Sequence, residues 1–228
     1  MRNENGRLIP ILKKDLMEAI LLNESPIKSQ ICYSLQYLEF LQFQICDETL
    51  TTDVVRTMQI KTFVIYAMEI IDGLFRYILK EKGKYPMDKK KLQSTTKSNE
   101  TVINDKKYFF ETHIYECGEF YADKVDFATV INRVHKKDLI GASERTFLII
   151  KNLKELRNKV HLHLAEDYYE SDYNSFGLTE FYWAKCIVHY IITNDKFCKN
   201  SNVFKYLKPT EEEIVYMKNN PVKQRTKI

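Results

Sequence analysis

The chain is poor in the residues that punctuate short, turn-rich folds, with only six glycines and five prolines in 228 residues. That scarcity argues against an all-β sandwich and favours long helices. Cysteine pairs of the CxxC kind are missing too. The five cysteines (Cys32, Cys46, Cys117, Cys186 and Cys198) are odd in number and scattered, so neither a zinc ribbon nor a disulfide framework is indicated. No apolar run approaches the roughly 18–20 residues needed to span a bilayer. The longest candidate, residues 63–79, is interrupted by Glu69, Asp72 and Arg76. Residues 1–10 have no apolar segment of the secretory-signal kind. A soluble, reduced, cytoplasmic chain with no membrane partner is expected. No Gly-rich phosphate loop, GxSxG elbow or HExxH pair occurs either, which removes the motifs of several large enzyme classes.

What remains is an ordinary globular composition, 44% hydrophobic and 29% charged, with a formal net charge of +4. Such a mild excess permits a polyanionic partner without requiring one. The length suits a single domain over residues 1–228. The clearest periodicity is Ile60, Phe63, Val64, Ala67, Ile70, Ile71, Leu74, Phe75 and Ile78, the i, i+3, i+4, i+7 signature of an amphipathic helix, closed by Lys80-Glu81-Lys82-Gly83. Similar spacing predicts helices at 10–22, 27–45, 126–135, from Ser143-Glu144 to Val160, 178–194, and after Pro209-Thr210. In the second of these, Tyr33, Tyr37, Phe40 and Leu41 read as core. Residues 84–104, with Asp88-Lys89-Lys90-Lys91 and Ser94–Asn99, are polar and without period, and are expected to form a long exposed insertion loop. Lys89–Lys91 are basic enough to touch an RNA backbone, although a solvated loop is the plainer reading. Residues 108–121 are aromatic with partial alternation, which fits a short β-hairpin or an irregular packing segment. The tail, 219–228, is polar and expected to fray. The fold class expected is therefore all-α, a bundle of about six to seven helices with one polar insertion.

The segment Leu156-Arg157-Asn158-Lys159-Val160-His161-Leu162-His163 concentrates the chemistry. At about 100° per residue, Arg157 falls roughly 40° from Leu153, inside the stripe of Ile149, Ile150, Leu153, Leu156 and Val160. A guanidinium among core positions must be paired or serve a site, because it does not shed its charge. His161 lies one turn on and about 40° further round, whereas His163 would point some 120° away unless the helix ends or distorts near Leu162. Read plainly, this is a helix end with Arg157 paired to Glu69 or Asp167 and the histidines against the C-terminal dipole. Glu69 stands in the apolar stripe of the third helix, either as the Arg157 partner or as an exposed residue at the stripe margin. A metal site is the rival enzymatic reading, using His161 and His163 with Asp167, His113 or Cys117. An HxH pair converges most naturally from a strand, and the other ligands have no diagnostic spacing, so no metal or other cofactor is expected.

Arg157-Asn158 followed by a histidine near the end of the penultimate core helix of a helical bundle resembles the HEPN superfamily. That family comprises compact helical domains, many of them metal-independent endoribonucleases marked by Arg, a polar residue, and His after four to six intervening residues. His163, with five residues between, fits that window, and His161, with three, falls just short. Helical geometry favours His161 and the family spacing favours His163. The resemblance implies RNA as substrate, cleavage through the ribose 2′-hydroxyl, Arg157, Asn158 and one of these histidines as catalytic residues, and a homodimer with motifs facing across a cleft. A toxin or phage-defence setting with a neutralising protein partner would suit such a nuclease. The alternative is a non-catalytic helical module that binds RNA, a nucleotide or another protein.

Overall fold

The computed structural model describes residues 12–23, 25–47, 52–158 and 175–221. Among these, the chain forms α1 (Lys13–Ala19), α2 (Pro26–Cys46), α3 (Asp53–Glu81), β1 (Met87–Lys97), β2 (Thr101–Ile103), β3 (Lys106–Tyr108), β4 (Glu111–Tyr121), α4 (Phe127–Lys136), α5 (Glu144–Asn158) and α6 (Leu178–Ile192). A 3₁₀ segment (Ser201–Leu207) and α7 (Glu211–Asn219) complete the order. The fold class is thus mixed: predominantly helical, with two small antiparallel sheets, and the all-α expectation is corrected.

The hub is α3. Its 29 residues bury Phe63, Val64, Ala67, Met68, Ile71, Leu74 and Phe75, and it packs against α2, α4, α5 and α6. Phe63 meets Phe181 of α6 edge-on at 4.8 Å, and Phe75 meets Phe147 of α5 at 6.3 Å. Each such ring removed from water contributes roughly 1.5–3 kcal/mol. The helix stops where the sequence says it should, since Gly83 adopts φ +60°, a left-handed position that a Cβ disfavours. On the body's far side, Thr210 and Glu213 cap α7 reciprocally. Glu213 also takes a two-oxygen ion pair from buried Lys185, at 2.8 and 3.0 Å.

Two expectations fail locally. On α2 the buried face is Ile31, Cys32, Leu35, Leu38, Leu41 and Ile45. Of the residues read as core only Leu41 is there, while Tyr33, Tyr37 and Phe40 are exposed. The aromatic stripe has helical spacing but occupies the other side of the helix, with Lys13 Nζ 3.7 Å from the Tyr33 ring centroid.

The second failure is the insertion. Residues 87–104 are exposed as expected, while Tyr85 is buried at the start of the segment, and most of the segment is strand and not loop. β1 pairs antiparallel with β4 from Met87↔Tyr121 to Lys97↔Glu111, with irregularities between Asp88 and Lys90 and between Leu92 and Ser94. Residues 108–121 therefore pair chiefly with 87–97 instead of folding back on themselves. Ser98 and Phe110 join this ladder to the next, the Ser98 N–H donating to the Phe110 carbonyl and the Phe110 N–H to the Ser98 hydroxyl, each at 2.9 Å. Beyond them β2 and β3 turn through Asn104 and Asp105, both at positive φ, as a two-residue type I′ hairpin turn requires. The result is a ribbon whose strand residues are all exposed except half-buried Phe120. With no buried face, these strands have no reason to alternate apolar and polar residues.

Two arginines fix this arm to the body. Arg76 of α3 donates Nη1 to the Tyr85 hydroxyl (2.9 Å) and Nη2 to the Val125 carbonyl (2.8 Å), holding the chain on both sides of the insertion. Arg133 of α4 donates to the Lys84 carbonyl at 3.1 Å. Tyr85 and Tyr121 pack edge-on at 5.7 Å across the same root.

Candidate active site

Arg157 occupies the last turn of α5. The helix starts with Ser143, whose hydroxyl accepts from the Thr146 N–H at 3.3 Å, and turns Phe147, Ile149, Ile150, Leu153 and Leu156 inward. Arg157 is half-buried beside this stripe. Its guanidinium carbon lies 5.9 Å from the centroid of the Phe127 ring, at the start of α4. Contact with an aromatic face favours a delocalised cation at partial burial. Asp126 fixes that end of α4 by accepting from the Thr129 N–H at 3.0 Å.

The Arg157 charge also reaches Asp72 of α3, helping to hold its carboxylate ionised. Burial nonetheless outweighs this help and that of Arg76, so the Asp72 pKa lies above the ordinary carboxylate value. Arg76 grips Asp72 with two nitrogens, at 2.7 and 3.2 Å. Burial disfavours the Arg76 charge, but the Asp72 contacts and Tyr85 offset it and hold the guanidinium protonated. The two-nitrogen fork favours the ionised form of the pair. Asp72 and Arg76 thus form a bidentate pair on α3, with the Arg157 charge in electrostatic reach of the carboxylate from α5.

The remaining predicted residues fare differently. Asn158 is exposed and ends the described part of α5. Glu69 is exposed as well, on the side of α3 that borders a groove of about 250 Å³ against α2. His161 and His163 lie outside the described residues, as does Asp167. His113, considered above as a metal ligand, is on the arm, its Nδ1 3.1 Å from the Thr95 hydroxyl. Among the described residues no group of three or more His, Cys, Asp or Glu is placed to hold a metal.

Sequence reasoning missed Asp72 and Arg76, which entered it only as interruptions of an apolar run. Their i, i+4 spacing on a strongly periodic helix was the available signal, since such a pair on a half-buried face is positioned to bridge. Phe127 had no signal as the Arg157 neighbour, because the contact depends on how α4 packs against α5.

No helix among the described residues is long and apolar enough to cross a membrane. Comparison with protein-family models, curated proteins and solved structures returns no match.

Proposed function

We propose that this chain is a metal-independent endoribonuclease of the HEPN type, cutting RNA through its own 2′-hydroxyl. The observation that supports it is Arg157: a half-buried cation at the end of a core helix, beside Phe127 and within charge range of Asp72. In the proposed reaction the ribose 2′-oxygen attacks phosphorus and the bond to the 5′-oxygen breaks. One fragment leaves with a 2′,3′-cyclic phosphate and the other with a 5′-hydroxyl. Arg157 stabilises the negative charge that builds on the non-bridging oxygens, a preorganised contribution worth about 10²–10³ in rate for a single donor. His161 or His163 takes the proton from the 2′-hydroxyl or returns one to the leaving oxygen, worth about 10²–10⁴. Asn158 orients the phosphate or the imidazole. The proposal extends to a cytoplasmic homodimer with facing motifs, a toxin or phage-defence role, and a protein partner that restrains it.

The test is cleavage of a single-stranded RNA in EDTA by wild type, Arg157→Ala, Asn158→Ala, His161→Ala and His163→Ala. Cleavage by wild type, with strong loss in Arg157→Ala and in one histidine variant, is expected. Absence of cleavage by wild type with RNA binding retained would favour the non-catalytic binding module instead.

A further inference from the structure

The lysines of the β arm fall into two sets. Towards the tip two of three are neutralised, Lys97 by Glu111 at 3.8 Å and Lys107 by Glu100 at 2.9 Å, while Lys106 has no ion pair among the described residues. At the root, Lys89, Lys90, Lys91 and Lys124 have no ion pair among the described residues, and all four line one cavity of about 690 Å³. Asp88 and Asp123 are the only carboxylates on its wall, so four positive charges face two negative ones. The irregularity between Asp88 and Lys90 breaks the alternation that would send successive lysines to opposite faces.

Aromatic rings share this cavity: Tyr115, Phe120 and Tyr121. Lys90 Nζ sits 4.4 Å from the Tyr115 ring centroid. Phe120 lies close against Gly118, where an added Cβ would come within 3.0 Å of the ring, so glycine there admits the ring in this position. Tyr115 and Tyr121 are 42% and 49% exposed, so each presents ring surface to water beside cations that have no ion pair among the described residues. Cations for phosphates and ring faces for bases are the two parts of a single-strand nucleic-acid platform. An acidic peptide would satisfy the lysines but leave the rings without stacking partners.

The cavity is close along the chain to the candidate active site. Lys124 precedes Phe127, the ring beside Arg157, by three residues, a span of at most about 11 Å of extended chain.

We propose that the cavity at the root of the β arm binds an unpaired stretch of RNA and leads it towards Arg157. The inference rests on the ribonuclease reading for its choice of RNA, and its test separates the two. Binding is measured by fluorescence anisotropy with a short single-stranded RNA carrying 2′-O-methyl sugars throughout, which has no free 2′-hydroxyl and so is not cut. Combined Lys89→Ser, Lys90→Ser and Lys91→Ser substitution is expected to weaken binding at least tenfold. It should also reduce the slope of log affinity against log salt by about 2, at roughly 0.7 per phosphate contact. Lys124→Ser, outside the strands, and Tyr115→Ala should each weaken it several-fold, and duplex RNA of the same sequence should bind at least tenfold more weakly.

Wild-type affinity in the triple variant with unchanged far-UV circular dichroism and melting would overturn the proposal. So would equal binding of duplex and single strand, displacement by polyglutamate as effective as by RNA, or no RNA binding by wild type. If wild type binds through the arm but cuts no RNA, the ribonuclease reading falls and the binding site stands. If it cuts RNA and the arm variants bind and cut normally, the site falls and the ribonuclease reading stands.

Discussion

The helical body and the β arm solve the problem of holding a chain in place by opposite means. Along α3, residues from four neighbouring helices close over Phe63, Phe75 and their apolar neighbours, and burial does the work. Along the arm, Phe120 alone among the strand residues is even half-buried. An isolated two-stranded ribbon is marginal in water. Cross-strand pairs such as Lys97–Glu111 and Gln93–Glu116, together with the Arg76 and Arg133 contacts at its root, supply what holds it. The body is therefore specified by its interior, and the arm's composition is free to be chosen by its exterior.

That contrast can be broken in graded steps. The largest effect belongs to the hub: Phe75→Ala should cost about 3–5 kcal/mol, measured as a drop in the urea midpoint with little change in slope. Next comes the joint between the regions. Arg76→Met leaves a part-buried Asp72 without its fork, and both side chains are partly exposed, at 25% and 17%. The expected cost is about 2–3 kcal/mol, below the roughly 3–5 of a fully buried pair, and amide exchange across β1 and β4 should quicken. Excision of the arm should matter least to the body. Replacing residues 88–120 with a short Gly-Ser turn between paired Met87 and Tyr121 should shift body stability by no more than about 1 kcal/mol. A collapse of the body would show that the arm belongs to its core.

A smaller, pH-dependent effect tests the body's other side. Burial, with Lys208 and Lys185 nearby, pushes the His189 pKa below the ordinary histidine value. The unfolded chain then binds that proton more readily than the folded one. This contribution is fully present above about pH 6.5 and is lost as pH falls through the folded value. His189→Gln should flatten the fall of the melting temperature on acidification below that point. An unchanged profile would remove His189 as its source.

The same contrast explains what could be read in the sequence. Regions with a buried side write a period: α3, α5 and α6 followed from their apolar spacing, Gly83 marked the end of α3, and Thr210 marked the start of α7. The arm has no buried side, so Asp88–Lys91 and Ser94–Asn99 have no alternation, and two-faced solvation looks like a loop. On α2 two stripes compete, Ile31-Leu35-Leu38 and Tyr33-Tyr37-Phe40, both at helical spacing. Tyrosine's polar end tolerates exposure, so composition does not choose between them. At the candidate site, the tension around Arg157 was visible as a charge among core positions. Its companions Asp72 and Phe127 were not, because they come from helices whose packing angles a sequence does not display.

The central claim, that Arg157 stabilises charge in cleavage by a ribose 2′-hydroxyl, is tested most directly with a paired substrate assay in EDTA. One RNA has a single cleavable linkage; its twin has 2′-deoxyribose at that one position. Wild type should cut the first to 2′,3′-cyclic-phosphate and 5′-hydroxyl ends and leave the second intact, and Arg157→Ala should cut the first about 10²–10³ more slowly. Cleavage of the deoxy twin, or an undiminished rate in Arg157→Ala, would contradict it.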